Sequence, residues 1–590
     1  MKDILKGGEF LIKEINADDI FIPEEFDEEQ NMMFQTAHEF TDKSVFPVID
    51  QLDKHDRELL DKLMKEAGEI GLLGVSVPEE YDGFGQSFLT SMRVVEAIGK
   101  GFAFSVAFSA HTGISTLPIL YFGNEEQKKK YIPKLASGEH IGAYCLTEPD
   151  AGSDANSGTT KAVLSDDGKH YILNGVKMWI TNGGIANILT VFAKIDDDKN
   201  LSAFIVERNS EGVEIAPDEE KMGIQGSSTT QIFLEDVKVP VENLLGERGN
   251  GFKIALYILN FGRIKLAGAT IGACKNVINE SVRYSNERKQ FGQYISSFPA
   301  MKYKMAEQVI RTFANESLTY RISNDIENAT QALQDSGMEK DKAIVEGIRQ
   351  FGIEASISKV FGSEMLDYVV DEGVQIYGGM GYSQETQVEK AYRDSRINRI
   401  FEGTNEINRT VIIGEILKRG MKGEIDLLTP AKEVAKEIME PSEEQDLDYF
   451  STKKQIVSNF KKTVLLIAGA AMKKYQVALM QEQELLFNFS NIIMQLYTAE
   501  SVMLRVQKLS KMYDENKLSL YKDILDVWVY DASFRIYKEG IDAINSFAEG
   551  DENKGLMMGL KRFTKVAGLN VVAARRRIAD KLIEDNKYNF

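Results

Sequence analysis

The sequence is poor in the residues that mark disulfide-stapled, metal-binding or nucleotide-cradling proteins. Its 590 residues include two cysteines, Cys145 and Cys274, too few for a disulfide framework and without metal-ligand spacing. The five histidines, His38, His55, His111, His140 and His170, form no H-E-x-x-H pair. Metal hydrolysis and Ser-His nucleophilic chemistry are therefore poorly supported, and no metal is expected. There is no G-x-S-x-G elbow and no G-x-x-x-x-G-K-[ST] loop, and the G-x-G triplets at Gly83, Gly249 and Gly379 lack the third glycine. A dinucleotide held on a Rossmann turn is thus unsupported. The longest apolar patch, Val464 to Met472, is half of what a membrane span needs, so no transmembrane helix is expected. The opening residues Met1 to Gly8 hold no apolar stretch of signal-peptide type, which points to a reducing cytoplasm.

Proline is scarce as well, 11 in all, and helix-forming residues dominate most windows. With 70 basic and 90 acidic residues the net charge is −20. That field repels nucleic-acid phosphates and anionic lipid, so neither is a natural partner, although local cations can still hold an anionic ligand.

The length calls for three or four domains. Residues 1–140 carry apolar positions at helical spacing, as in Leu59, Leu60, Leu63, Met64 and Ala67, with a turn-rich break from Pro78 to Gly85. Residues 141–250 change to β-branched runs, with Asp166-Asp167-Gly168 and Asn174-Gly175 as hairpin signals. Long helical patterns return over 251–420, broken at Gly378-Gly379-Met380-Gly381. An acidic stretch at about 440–452 reads as a linker, and 421–590 forms a further helical domain. The expected fold is mostly α with an inserted β-domain.

Four separated segments bear on function: Tyr144 to Asp154 (YCLTEPDAGSD), Lys177 to Gly183 (KMWITNG), Glu287 to Gly292 (ERKQFG), and Gln375 to Tyr382 followed by Arg399 to Glu406 (RIFEGTNE). Each has an ordinary local reading: a polar loop, a core tryptophan, a surface arginine, a glutamate at a helix start. In register and in this order they resemble the acyl-CoA dehydrogenase family over about residues 30–420. The last helical domain and Ile258 to Arg263 are most similar to the very-long-chain branch.

The resemblance implies FAD as cofactor. It implies flavin contacts from Tyr144, Leu146, Thr147, Gly152, Ser153, Trp179, Ile180 and Thr181, where small and hydroxyl residues let backbone N–H groups approach the ring. Arg288, Phe291, Gln375, Gly378 and Gly379 would reach the pyrophosphate and adenosine on the neighbouring subunit, which implies a homodimer or a tetramer. Thr404, Asn405 and Glu406 complete the cofactor set. Glu402 is the implied base for the α proton of an acyl-CoA thioester, with Ile400 and Phe401 desolvating it. Some branches carry the base on the helix instead, but that position is Gly262 here. Ser153, Asn260, Arg263, Phe401 and Gly403 are the implied substrate contacts, with Arg263 toward the adenine or phosphate end of CoA.

The resemblance further implies α,β-desaturation of long-chain acyl-CoA in fatty acid β-oxidation, with electron-transfer flavoprotein as acceptor. An acyl-CoA oxidase, or a non-catalytic flavoprotein of the same fold, stands as the alternative. Lys461-Lys462, VLLIAGAAM and Lys473-Lys474 could form a membrane-lying element, but a buried helix with lysines at its ends is the plainer expectation. Arg575-Arg576-Arg577 is expected to pair with the acidic body.

Overall fold

A computed structural model describes residues 4–438, 440 and 446–590. The expectations for Met1 to Asp3 and for the middle of the 440–452 linker lie outside them. Before the linker a helix closes at Glu437, and Tyr449 already begins the next one.

The N-terminal quarter is helical because its apolar positions repeat every three to four residues. The helices Arg57–Glu69 and Phe88–Ile98 bury Leu60, Leu63, Met64 and Ala67, and Met92, Val94, Val95 and Ile98. Each starts on a side-chain cap, Asp56 or Ser87.

An eight-stranded sheet follows. Its strands are β1 Gly142–Cys145, β2 Lys161–Leu164, β3 His170–Thr181, β4 Ile188–Ile195, β5 Ser202–Glu207, β6 Val213–Ile215, β7 Thr229–Pro240 and β8 Leu244–Leu245. They run in the order β6-β7-β3-β2-β4-β5-β8, with β1 parallel to β4. The hairpin at Asp166-Asp167-Gly168 joins β2 to β3 as expected. The hairpin expected at Asn174-Gly175 does not form. Both residues lie inside β3, at a shift of register against β7. A Cβ on Gly175 would come within 2.8 Å of the Thr160 backbone, so close approach between strands, not a turn, calls for glycine there.

The Gly251–Glu287 helix is the central rod of the bundle, flanked by Pro299–Asp335 and Gly352–Tyr377. Glycines set its distance from the N-terminal helices. A Cβ on Gly272 would sit 1.9 Å from the Glu96 carbonyl oxygen, and one on Gly99 would sit 2.1 Å from that of Ala269. Lys275 and Arg93 converge on Glu96 at 2.7 and 3.0 Å. Burial would raise the Glu96 carboxyl, but these cations hold it near 2.

The last helices share one continuous core with this bundle. Buried ion pairs bind the two: Arg321–Glu500 at 2.8 Å, Arg505–Glu316 at 2.7 Å and Arg575–Glu307 at 2.7 Å. Arg577 pairs with Asp523, so two of the three consecutive arginines meet the acidic body. Three helical segments, Ala103–Phe122, Gly251–Glu287 and Tyr449–Gln481, are long and apolar enough by composition to cross a membrane, which corrects the expectation drawn from apolar runs. Most of the first two is buried in the protein; in the third, Lys461 and Lys462 pair with Glu500 and Glu437.

Gly272→Val should lower the unfolding midpoint, because overpacking here costs about 1–3 kcal/mol or more. Thermal unfolding beside Gly555→Ala, at a position with open space around it, is the check.

Candidate active site

The sheet positions the first two motifs through a buried ion pair. Lys177 on β3 is fully buried and meets Glu148 at 2.6 Å, in the loop that leaves β1. Burial alone would raise Glu148, but Lys177 and the Thr160 and Thr159 donors hold it near 2. The backbone agrees, with the Met178 N–H donating to the Thr147 carbonyl at 2.9 Å. Beyond Lys177 a bulge places two residues of β3 against one of β7, and Trp179 adopts φ 59°. Trp179 is left 52% exposed, whereas Ile180 turns into the sheet core. Thr181 faces the same cavity as Glu402. Leu146 is buried and Tyr144 is half-buried with its hydroxyl enclosed, while Gly152 and Ser153 lie exposed with open space around Gly152.

Glu402 sits in a tight turn before the Asn405–Met421 helix. Its own φ is 59° and that of Gly403 is 79°, a left-handed pair that a glutamate adopts only when its surroundings impose it. Three side chains do so. Arg263 Nε donates to the Glu402 carbonyl at 3.3 Å, Lys359 Nζ to the Gly403 carbonyl at 2.8 Å, and Asn408 Nδ2 to the Gly403 and Thr404 carbonyls at 2.8 and 3.1 Å. The Thr404 hydroxyl caps the helix through the Ile407 N–H.

This geometry corrects several implied roles. Arg263 is buried and also donates to Asn260 Oδ1 at 3.0 Å, so both hold the loop and neither is presented to a solvent-borne CoA phosphate. Asn405 is likewise buried, accepting from Lys359 at 2.7 Å and donating to Ser363 at 3.0 Å, so it braces the same loop. Glu406 is exposed on the first helical turn. Ile400 is 47% exposed and does not desolvate Glu402; Phe401 lines the cavity. Lys359 and Asn408 are supports that sequence patterns missed. The only trace of Lys359 is a lone lysine in an apolar helical stretch, IEASISKVFGSEML.

The carboxylate is pressed against glycine. A Cβ on Gly262 would lie 2.7 Å from Glu402 Oε2, which is buried and has no hydrogen-bond partner among the described residues. Burial drives the carboxyl up to about 7, against the opposing pull of Arg263 and Lys359. Burial also lowers Lys359 to about 7 and Arg263 to about 10, with Glu402 opposing both shifts. A group at this value is poised to exchange a proton at neutral pH.

The third motif and the Gln375 segment converge elsewhere on the surface. Tyr284 and Tyr377, near the ends of their helices, stack with centroids 4.0 Å apart. Beside them a small hairpin turns through Phe291 and Gly292, φ 52° and 79°, leaving Phe291 92% exposed. Arg288, Gln375, Gly378 and Gly379 are exposed on this face.

Comparison with known proteins agrees with this arrangement. Sequence models of the acyl-CoA dehydrogenase N-terminal, middle and C-terminal domains match residues 27–139, 143–237 and 249–417, and a further C-terminal domain model matches 459–562. The chain is 43% identical over 587 residues to a probable acyl-CoA dehydrogenase of Bacillus subtilis (strain 168), covering 99% of each. It is 40% identical over 410 residues to the mitochondrial very long-chain specific acyl-CoA dehydrogenase of Homo sapiens, 68% of this chain and 60% of that one. The crystal structure of an acyl-CoA dehydrogenase complexed with FAD from Bacillus anthracis superposes with a TM-score of 0.96 at 44% identity, over 99% of this chain and 100% of that one. The chain therefore belongs to the acyl-CoA dehydrogenase family, whose members are FAD-dependent oxidoreductases. Its residues fit that cofactor: the bulge leaves Trp179 as an uncovered flat surface, Thr181 opens onto the cavity, and the Gly152 backbone is free to be approached.

Two outcomes follow from the charge balance. The unfolded carboxyl ionises near 4.5, whereas folded Glu402 keeps its proton to about 7. Its contribution to stability is therefore full below the lower value and lost as pH rises through the upper one. Glu402→Gln should then be more stable than the parent at about pH 8 but not at about pH 5, as measured by thermal unfolding. Lys359→Met removes a charge-assisted bond worth about 1.5–3 kcal/mol. It should slow turnover and move the pH profile upward, because Lys359 holds Glu402 down.

Proposed function

We propose that the protein desaturates long-chain fatty acyl-CoA thioesters between the α and β carbons, within fatty acid β-oxidation, with Glu402 removing the α proton. The buried, unpartnered Oε2 of Glu402, held against Gly262 at the wall of an apolar cavity, carries this reading. Apolar neighbours such as Phe401, Leu266 and Val370 keep water out. Oε2 accepts the α proton, and the fixed turn presents the Glu402 N–H to the thioester oxygen. FAD, when bound, accepts the β hydride. Arg263, Lys359 and Asn408 keep the carboxylate in place while its charge changes.

The exposed face around Arg288, Phe291, Gln375 and Gly378 fits a partner subunit's cofactor, which makes a homodimer the smallest complete unit in this reading. The open backbone at Gly378 and Gly379, with Arg288 exposed on the same face, supports it. Electron-transfer flavoprotein is the acceptor we propose; one matched structure, TM-score 0.59 and 38% identical over 66% of this chain, carries the name electron transferring flavoprotein of Acidaminococcus fermentans. A cytoplasmic location accords with two free, buried cysteines.

Anaerobic titration with acyl-CoAs, following loss of the flavin absorbance, tests the reading. The parent should bleach and release the 2-enoyl product. Glu402→Gln should keep its flavin and bleach about 10²–10⁴-fold more slowly, the usual loss of a general base. Bleaching at the parental rate would remove Glu402 from the chemistry.

A further inference from the structure

The cavity that starts at Glu402 follows one face of the Gly251–Glu287 helix. Gly262, Leu266, Ala269, Ala273, Asn276 and Val277 line it at spacings of three and four residues. From Gly262 to Val277 is fifteen residues of helix, about 22 Å at 1.5 Å each. An extended alkyl chain with bonds of about 1.5 Å advances about 1.3 Å per carbon, so this face accommodates about 16 to 18 carbons.

What ends the cavity is polar. Lys100 and Asn276 line its far end, and both also line a second cavity of about 790 Å³ behind them. The Lys100 ammonium points away from the acyl path, toward Asp42 at 2.5 Å and His38 at 2.9 Å. The second cavity is charged, with Arg93, Glu96, Lys275 and Arg283 in its walls, and offers methylene groups no gain from burial.

The far wall of that chamber is the segment that follows the Val571–Asp585 helix. Asn586, φ 53°, ends the helix, and Lys587 to Phe590 line the chamber. The segment is tied to the same rod that lines the acyl cavity. Asn286 Nδ2 donates to the Ile583 carbonyl at 3.0 Å and to Asn586 Oδ1 at 2.9 Å, and the Tyr588 N–H donates to Asn279 Oδ1 at 2.6 Å. Lys275 lies 5.2 Å from the centre of the Tyr588 ring, which packs on Phe590 at 5.5 Å.

We propose that Lys100 and Asn276 form the floor of the acyl cavity, buttressed from behind by residues 586–590, and that this partition sets the longest acyl chain the enzyme accepts. The inference rests on the acyl-CoA dehydrogenase reading above. It assigns a chain-length role to a segment remote in sequence from Glu402, acting through Asn279, Lys275 and the partition they support. Methylene groups up to the partition each contribute favourably; those beyond it must displace Asn276 and enter a charged chamber.

The test is the ratio of kcat/KM for docosanoyl-CoA to that for dodecanoyl-CoA, in the FAD-loaded parent, in Asn276→Ala and in a variant lacking residues 586–590. The parent should favour hexadecanoyl- over docosanoyl-CoA. Both variants should keep parental turnover of dodecanoyl-CoA and raise the ratio by about 10-fold or more, because the end of a long chain no longer has to displace a buttressed Asn276 side chain. An unchanged ratio in Asn276→Ala, with dodecanoyl-CoA turnover intact, overturns the partition. An unchanged ratio in the truncated protein alone overturns the buttress. Failure of every acyl-CoA to reduce the flavin of the parent would instead overturn the dehydrogenase reading.

Discussion

A carboxylate oxygen buried without a hydrogen-bond partner is held at a cost of about 1–3 kcal/mol or more, and the site around Glu402 is organised to sustain that. Nothing in a left-handed Glu-Gly turn favours itself. The turn persists because Arg263, Lys359 and Asn408 occupy its carbonyl oxygens, and because Gly262 leaves the carboxylate somewhere to lie. Two of these supports are cations whose own charged forms are disfavoured by burial. Each partner in the cluster thus offsets part of the desolvation of the other. The net result is a carboxyl poised to exchange a proton near neutrality.

The same logic recurs at the boundaries between layers. Lys177 and Glu148 are both buried, and their pairing joins the loop after β1 to the strand that bears Trp179. Glu96, Arg93 and Lys275 tie the N-terminal helices to the central rod where glycines allow the closest approach. Arg505 and Arg321 bind the appended helices to the bundle. Such pairs add little net stability over apolar packing but penalise any misplacement, since a broken pair leaves a buried charge. A protein assembled from several layers around a cofactor site needs that kind of registration.

Element types and their order were largely legible, because helical and strand periodicity survive in the sequence whenever one face is buried. The failures share a cause. At Asn174-Gly175 a turn signal lies within a continuous strand, because the glycine answers a neighbouring strand's backbone instead of a bend. Three helical segments lack long apolar runs because their polar residues are spaced out among apolar ones. Ile400 and Phe401 are adjacent in sequence, yet only Phe401 faces the cavity, and no pattern in four residues of turn could separate them.

By itself the sequence determined the class of protein, through four motifs in order, and their resemblance to the family singled out Glu402 as the candidate base, with a glycine where an alternative base would stand. Those are properties of residue type and spacing. Only the tertiary structure decided what Arg263 and Asn405 hold, since their partners, the Glu402 carbonyl and Lys359, lie 139 and 46 residues away in the chain. It alone revealed Lys359 behind the Glu402 turn, and it alone brought residues 587–590 to a chamber that shares Lys100 and Asn276 with the cavity at Glu402. Contacts between distant segments are set by packing of the whole, and local sequence carries no record of them.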